Sequence, residues 1–220
     1  MAHHPGDDPF LAADMAERWE RWMPVLETGT RTVSEALLDT TRTGQGTRLL
    51  DLACGTGATT CAALARGALV TGLDLNPDML ARARKACPAT FIEGDMQAPP
   101  AGPWDAIVSR FGAHHAPPGW LDAAARVLAP GGRIAIAEWH PDTLMFAGAD
   151  DGPNKETAED WVPRFEAAGL VDVQGTDVPF TIDFGDEATY LRFTEEMAHA
   201  GGPAPGGRQE NLAFVVSART

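Results

Sequence analysis

The chain has 220 residues, 44% of them hydrophobic and 22% charged, which is enough apolar content to bury one full core. Its formal net charge of −14 opposes a polyanionic partner and no arginine cluster forms a basic patch, so nucleic acid is not the expected substrate. No run approaches the roughly 20 apolar residues that span a bilayer, and Asp7, Asp8, Asp14 and Glu17 stand where a leader would be apolar, so a cytoplasmic protein with no membrane partner is expected.

In chain order, the pattern predicts a helical region over Pro9 to Thr40, with Trp19 and Trp22 one helical step apart. A strand over Arg48–Leu52 follows, ending in Asp51 and running into Ala53, Cys54, Gly55, Thr56 and Gly57. A helix from Ala58 to Arg66 is closed by Gly67. A second strand, Leu69–Leu73, delivers Asp74. Asn76 as N-cap, Pro77 at the first helical position and Asp78 near the positive dipole end start a helix that reaches about Cys87. Strands are expected over Thr90–Glu93 and Asp105–Ser109, then a helix over Trp120–Leu128 stopped by Pro130 and Gly131-Gly132. A strand over Arg133–Glu138, a helix over Glu159–Ala168 and a strand over Val171–Gly175 complete the alternation of a mostly parallel α/β sheet. An insertion from Thr176 to Glu210, with a helix over Glu187–Ala198 and a Gly/Pro-rich loop over Gly201–Gly207, precedes the last strand at Asn211–Ala218. The expected layout is thus one domain: a helical cap (1–45), a ligand-binding core (46–175), a lid (176–210) and the last strand (211–220).

The turn after the first strand carries the chemistry. Ala53, Gly55 and Gly57 have little or no side chain, so a ligand can approach the backbone closely and the turn can use positive φ. A dinucleotide fold would place a third glycine where Thr60 stands. Asp51 would repel a pyrophosphate but attract an ammonium. Asp74, about twenty residues past the turn, is placed to accept from both hydroxyls of an unphosphorylated ribose.

These residues resemble the class I S-adenosylmethionine (SAM) dependent methyltransferases, particularly the branch similar to ubiquinone/menaquinone-biosynthesis enzymes. The resemblance runs through Leu49 to Gly57, Val70 to Leu80, Gly94-Asp95-Met96, Trp104 to Ser109 and Arg126 to Arg133, in order. It implies a Rossmann-like, seven-stranded, mostly parallel sheet whose last strand is antiparallel. It implies SAM as cofactor and S-adenosylhomocysteine as product. Asp51, Ala53, Gly55 and Gly57 would surround the methionyl end and Asp74 the ribose. Leu75, Met79, Asp95 and Met96 would flank the adenine. Arg110, read from its place after the fourth strand, is expected to meet the cofactor or an anionic substrate group, against the equally weighted reading of a surface salt bridge. Ala53 departs from the family's usual glycine.

On the acceptor side, Trp19, Trp22, Phe111, Trp139 and Phe184 are expected to grip a planar or greasy molecule, against the plainer reading that they pack as core. His115, His114 and His140 follow strands four and five and are the candidate general bases, against the plainer reading that they pin loops. The expected function is methyl transfer to a small organic acceptor, O-methylation preferred, in quinone biosynthesis or bacterial secondary metabolism. The alternatives are a non-methylating cyclisation, rearrangement or lyase reaction, and a non-catalytic SAM-binding partner; a nicotinamide oxidoreductase is the weakest rival. No metal site is expected, Cys54, Cys61 and Cys87 are expected as buried free thiols, and the oligomeric state is left open, with a homodimer among the options.

Overall fold

The computed structural model describes residues 15–143, 156–196 and 204–220. Among these, seven strands form one sheet in the order β3-β2-β1-β4-β5-β7-β6: β1 (Arg48–Leu52), β2 (Leu69–Asp74), β3 (Thr90–Glu93), β4 (Trp104–Arg110), β5 (Leu128–Trp139), β6 (Val171–Asp183) and β7 (Arg208–Arg219). Strands β1 to β5 pair in parallel, and β7 runs antiparallel to both β5 and β6. The helices are α1 (Met15–Thr40), α2 (Ala58–Ala65), α3 (Pro77–Ala86), α4 (Trp120–Val127), α5 (Ala158–Ala167) and α6 (Glu187–Glu196). No helix among the described residues is long and apolar enough to cross a membrane.

The period-two alternation of a strand divides the core into two layers. Leu49 joins Leu26, Val33, Leu37 and Leu38 of α1 on one face, whereas Leu50 and Leu52 join Trp120 and Leu121 of α4 and Trp161 and Phe165 of α5 on the other. Each such fully buried side chain contributes roughly 1.5–3 kcal/mol. α1 lies close on β6 at Gly29, where a Cβ would stand 2.4 Å from the Thr181 carbonyl oxygen, so the approach requires glycine. Arg66, just past α2, ties that helix to α1 through ion pairs with Glu35 and Asp39. α3 starts where its caps require, with the Asn76 side chain accepting from the Asp78 and Met79 N–H groups at 2.9 and 3.2 Å.

Several expectations are corrected. β5 begins directly after α4 at Leu128, paired with Trp104, so Pro130, Gly131 and Gly132 lie within the strand instead of stopping the helix ahead of it. The segment Thr176–Glu210 is not all insertion, because β6 runs to Asp183 and β7 starts at Arg208; the two form one long hairpin with pairs as far as Asp183 opposite Arg208. Cys61 and Cys87 are not free thiols: α2 and the end of α3 bring them together as a disulfide, and Cys54 alone remains a buried thiol. Sequence spacing gave no sign of this because the contact is made between helices. The expected helix ends at Pro9 and Ala198, and the loop residues 201–203, lie outside the described residues.

Candidate cofactor and acceptor site

From β1 the chain crosses to β2 on one side, and from β4 it crosses to β5 on the other, so the loops leaving the neighbouring ends of β1 and β4 diverge. Open α/β sheets bind ligands in such a crevice. A cavity of about 200 Å³ lies there, walled by the turn after β1, the ends of β2, β3 and β4, and Met23 of α1. Asp51, Ala53, Gly55, Asp74, Leu75, Met79, Asp95, Met96, Arg110, Phe111 and His115 all line it.

Asp51 is 1% exposed and accepts from the Thr60 hydroxyl at 2.6 Å. Thr60 therefore does more than mark a missing glycine, since it satisfies a buried acid. Burial pushes the Asp51 carboxyl up to about 7, opposed by the Thr60 hydrogen bond and the Arg110 charge. Arg110 lies on the same face of the sheet and donates to Ser34 at 2.8 Å and Thr30 at 3.2 Å, both on α1. Hydroxyls satisfy its donors without neutralising its charge, and burial lowers its pKa. Asp51 and Arg110 thus present opposite charges to one end of the cavity.

Asp74 accepts from the Gly55 N–H at 2.7 Å through one oxygen and the Asn76 N–H at 2.9 Å through the other. Each oxygen keeps further acceptor capacity, and burial raises the pKa against these N–H donors. Gly55 has φ +54 and nothing within 4 Å of a hypothetical Cβ, so its missing side chain leaves open space over the turn. Ala53 (φ 53) and Phe111 (φ 58) take left-handed backbone that non-glycine residues rarely adopt. The Ala53 methyl group fills the space a Cβ on Gly112 would need, at 2.5 Å, so position 112 must stay bare beside it. Leu75 is 50% exposed at the rim, while Met79 and Met96 are buried. Asp95 accepts from the Gln97 N–H at 2.8 Å.

The paired histidines separate into two environments. His115 lines the cavity. His114 does not; its Nδ1 lies 2.6 Å from Oε2 of Glu138, which is fully buried. The two imidazoles are tilted against each other with centroids 3.8 Å apart. His140 is not among the residues lining the cavity, and its Nδ1 accepts from the Asp142 N–H at 3.1 Å, two residues on.

The aromatic grip is corrected for three of its members. Trp22 donates from Nε1 to Glu196 at 2.9 Å and meets Phe193 edge-on. Phe184 packs between Tyr190 and Phe193. Trp139 stacks at 3.8 Å beneath Phe111 and against Phe180. All three belong to the buried core and do not line the cavity; among the described members of the expected grip, Phe111 alone does. The Trp19 side chain lies outside the described residues. Gly57 is likewise not a wall of the cavity, since it caps α2 at φ +88 and leaves room for Ala83 of α3. Thr60, Ser34, Thr30 and Glu138 were missed because each acts through another side chain. Glu138 alone left a visible sign, a charge following the apolar run Ile134 to Ala137.

The residues fit an amino-acid-bearing nucleoside: opposite charges at one end, a bare turn, an acceptor pair at Asp74 and an apolar rim. A family profile described as a methyltransferase domain matches residues 49–132. A demethylmenaquinone methyltransferase of Tropheryma whipplei is 39% identical over 105 residues, spanning 44% of this chain and 44% of that protein, so the chain matches less than half the length of this curated relative. An uncharacterized methyltransferase of Synechocystis sp. is 30% identical over 167 residues, 71% of this chain and 72% of that protein. Among solved structures, the 4+2 cyclase SpnF aligns with TM-score 0.63 and 18% identity over 93% of this chain and 94% of that one, a likeness of fold alone. The chain belongs to the class I SAM-dependent methyltransferase family, whose cofactor is SAM. Among the described residues no group of three or more side chains is placed to hold a metal ion.

Proposed function

We propose that this chain transfers a methyl group from SAM to a small organic acceptor held beside His115, preferring the oxygen of a phenol or quinol. The observation that carries the reading is the opposition of Asp51 and Arg110 at one end of a cavity whose other walls are Asp74 and His115. Asp51 would hold an ammonium, Arg110 a carboxylate and Asp74 the ribose hydroxyls, with Leu75, Met79, Asp95 and Met96 around the adenine. SAM supplies an electrophilic methyl on a sulfonium. The chain's part is to place the acceptor in line, worth effective molarities of roughly 10⁵ to 10⁸ M, and to take the acceptor's proton at His115, worth roughly 10² to 10⁴ in rate. The demethylmenaquinone methyltransferase relative supports a reduced quinone ring as the acceptor class, although the reaction in its name places the methyl on ring carbon; the preference for oxygen rests on the imidazole of His115 in the cavity wall.

Calorimetry with S-adenosylhomocysteine tests the cofactor half: wild type binds, and Asp74→Ala loses affinity by at least about 100-fold, because a buried site is left with unpaired hydroxyls. Release of S-adenosylhomocysteine with reduced 1,4-naphthoquinone and simple phenols tests the transfer half. His115→Ala lowers kcat by about 10² or more while sparing cofactor affinity, and His140→Ala leaves both unchanged. The cyclase among the fold neighbours favours one second reading, in which the cavity holds SAM without consuming it. Tight binding with no release for any acceptor would select it.

A further inference from the structure

Glu138 has the features of a built device and no part in the cofactor site. It is the penultimate residue of β5, where its neighbour across the ladder is Phe214 of β7, so its carboxylate is anchored to the rigid sheet. It is fully buried. Oε1 accepts from the backbone N–H groups of Ala113 at 2.8 Å and His114 at 3.2 Å, and Oε2 meets His114 Nδ1 at 2.6 Å. One carboxylate thus holds both the backbone and an imidazole of the short 3-10 turn Ala113–His115, whose last residue, His115, lines the cavity.

Chemistry decides where the proton between them sits. An imidazole is in general a stronger base than a carboxylate by about two units, and Glu138 already serves as acceptor for two backbone N–H groups on Oε1. An ionised carboxylate can only accept, so Nδ1 carries the proton. That leaves Nε2 of a neutral His114 as the acceptor nitrogen and fixes the ring's orientation. His115, with its ring centroid 3.8 Å from that of His114, packs on a partner that cannot turn.

We propose that Glu138 is a positioning residue, fixing His114 in its Nδ1–H form and the turn around it so that His115 faces the acceptor. The inference rests on the methyl-transfer reading of the cavity for its effect on rate, but not for the tautomer. Glu138→Gln is the discriminating change. Its carbonyl oxygen can still accept from the two backbone N–H groups, while its amide then donates toward Nδ1 and drives the proton to Nε2.

The test uses the full chain with ¹⁵N-labelled histidine, His114 being assigned from a His114→Gln spectrum. In the wild type, His114 is expected to be protonated at Nδ1 alone, and in Glu138→Gln at Nε2 alone. Turnover of reduced 1,4-naphthoquinone by Glu138→Gln should fall about 10- to 100-fold, as for a misplaced reacting group, with S-adenosylhomocysteine affinity held within about twofold. A wild-type His114 protonated at Nε2 overturns the proposal, even if the variant does not fold. So does an unchanged kcat, or a loss of cofactor affinity as large as the loss of rate. A wild type that binds S-adenosylhomocysteine yet methylates no acceptor counts against the methyl-transfer reading, and the tautomer then judges Glu138.

Discussion

Asp51 shows how one buried side chain couples ligand binding to pH. Its carboxyl stands at about 7 in the fold against 3.8 for an ordinary aspartate, raised chiefly by burial. Between those values the folded chain holds a proton that the unfolded chain has lost. Stability of the ligand-free protein therefore falls as pH rises from about 4 to about 7, and this contribution is flat above. A bound ammonium reverses the preference by favouring the carboxylate, so affinity for S-adenosylhomocysteine rises over the same window. Asp51→Asn should flatten both slopes, leaving in the stability slope the part due to the likewise raised Asp74, which denaturant titrations and calorimetry at about pH 5, 6 and 7.5 would measure; equal slopes in variant and wild type would refute the assignment. Asp51 and Asp74 were legible in the sequence as neighbours of one cavity because Asp51 stands just before the bare turn that follows β1 and Asp74 ends the next strand. Thr60 was not, because a hydroxyl that serves another residue's buried oxygen leaves no spacing of its own.

At the level of elements, the turns after β1 and β4 are fitted to each other through the pair Ala53 and Gly112. A methyl group on Gly112 would stand 2.5 Å from that of Ala53, within the packing of the cavity wall. Gly112→Ala should destabilise the protein by about 1–3 kcal/mol through overpacking. Adding Ala53→Gly removes the obstructing methyl and relieves left-handed backbone, and should restore most of the loss; urea midpoints of the four chains would show a coupling of about 1 kcal/mol or more. Additive effects would mean that the two turns do not touch. Most strand positions were legible from apolar runs bounded by turn residues. The join of α4 to β5 was not, because Pro130, Gly131 and Gly132 read as a break while the ladder to Trp104 carries the strand through them. The aromatic residues were misread for a related reason. Trp22, Trp139 and Phe184 have the composition of a binding surface, and only three-dimensional packing shows that they face one another.

Across the whole molecule, the disulfide between Cys61 and Cys87 closes a loop of sequence separation 26 around β2 and α3. A loop of that length contributes about 3 kcal/mol by restricting the unfolded chain. Dithiothreitol, or Cys61→Ser, should therefore lower the urea midpoint, and a midpoint indifferent to both would show that no bond forms in solution. Such bonds are rare in reducing compartments, so the expectation of a cytoplasmic protein and this pairing pull in different directions. The long β6–β7 hairpin has another kind of consequence. Its described tip, Phe184 to Glu196 and Ala204 to Gly207, braces α1 through Trp22 and Arg21 yet walls no part of the cavity. Because that tip pairs with none of the parallel strands, substitutions confined to it leave the ladders of β1 to β5 and the floor beneath a nucleoside in place.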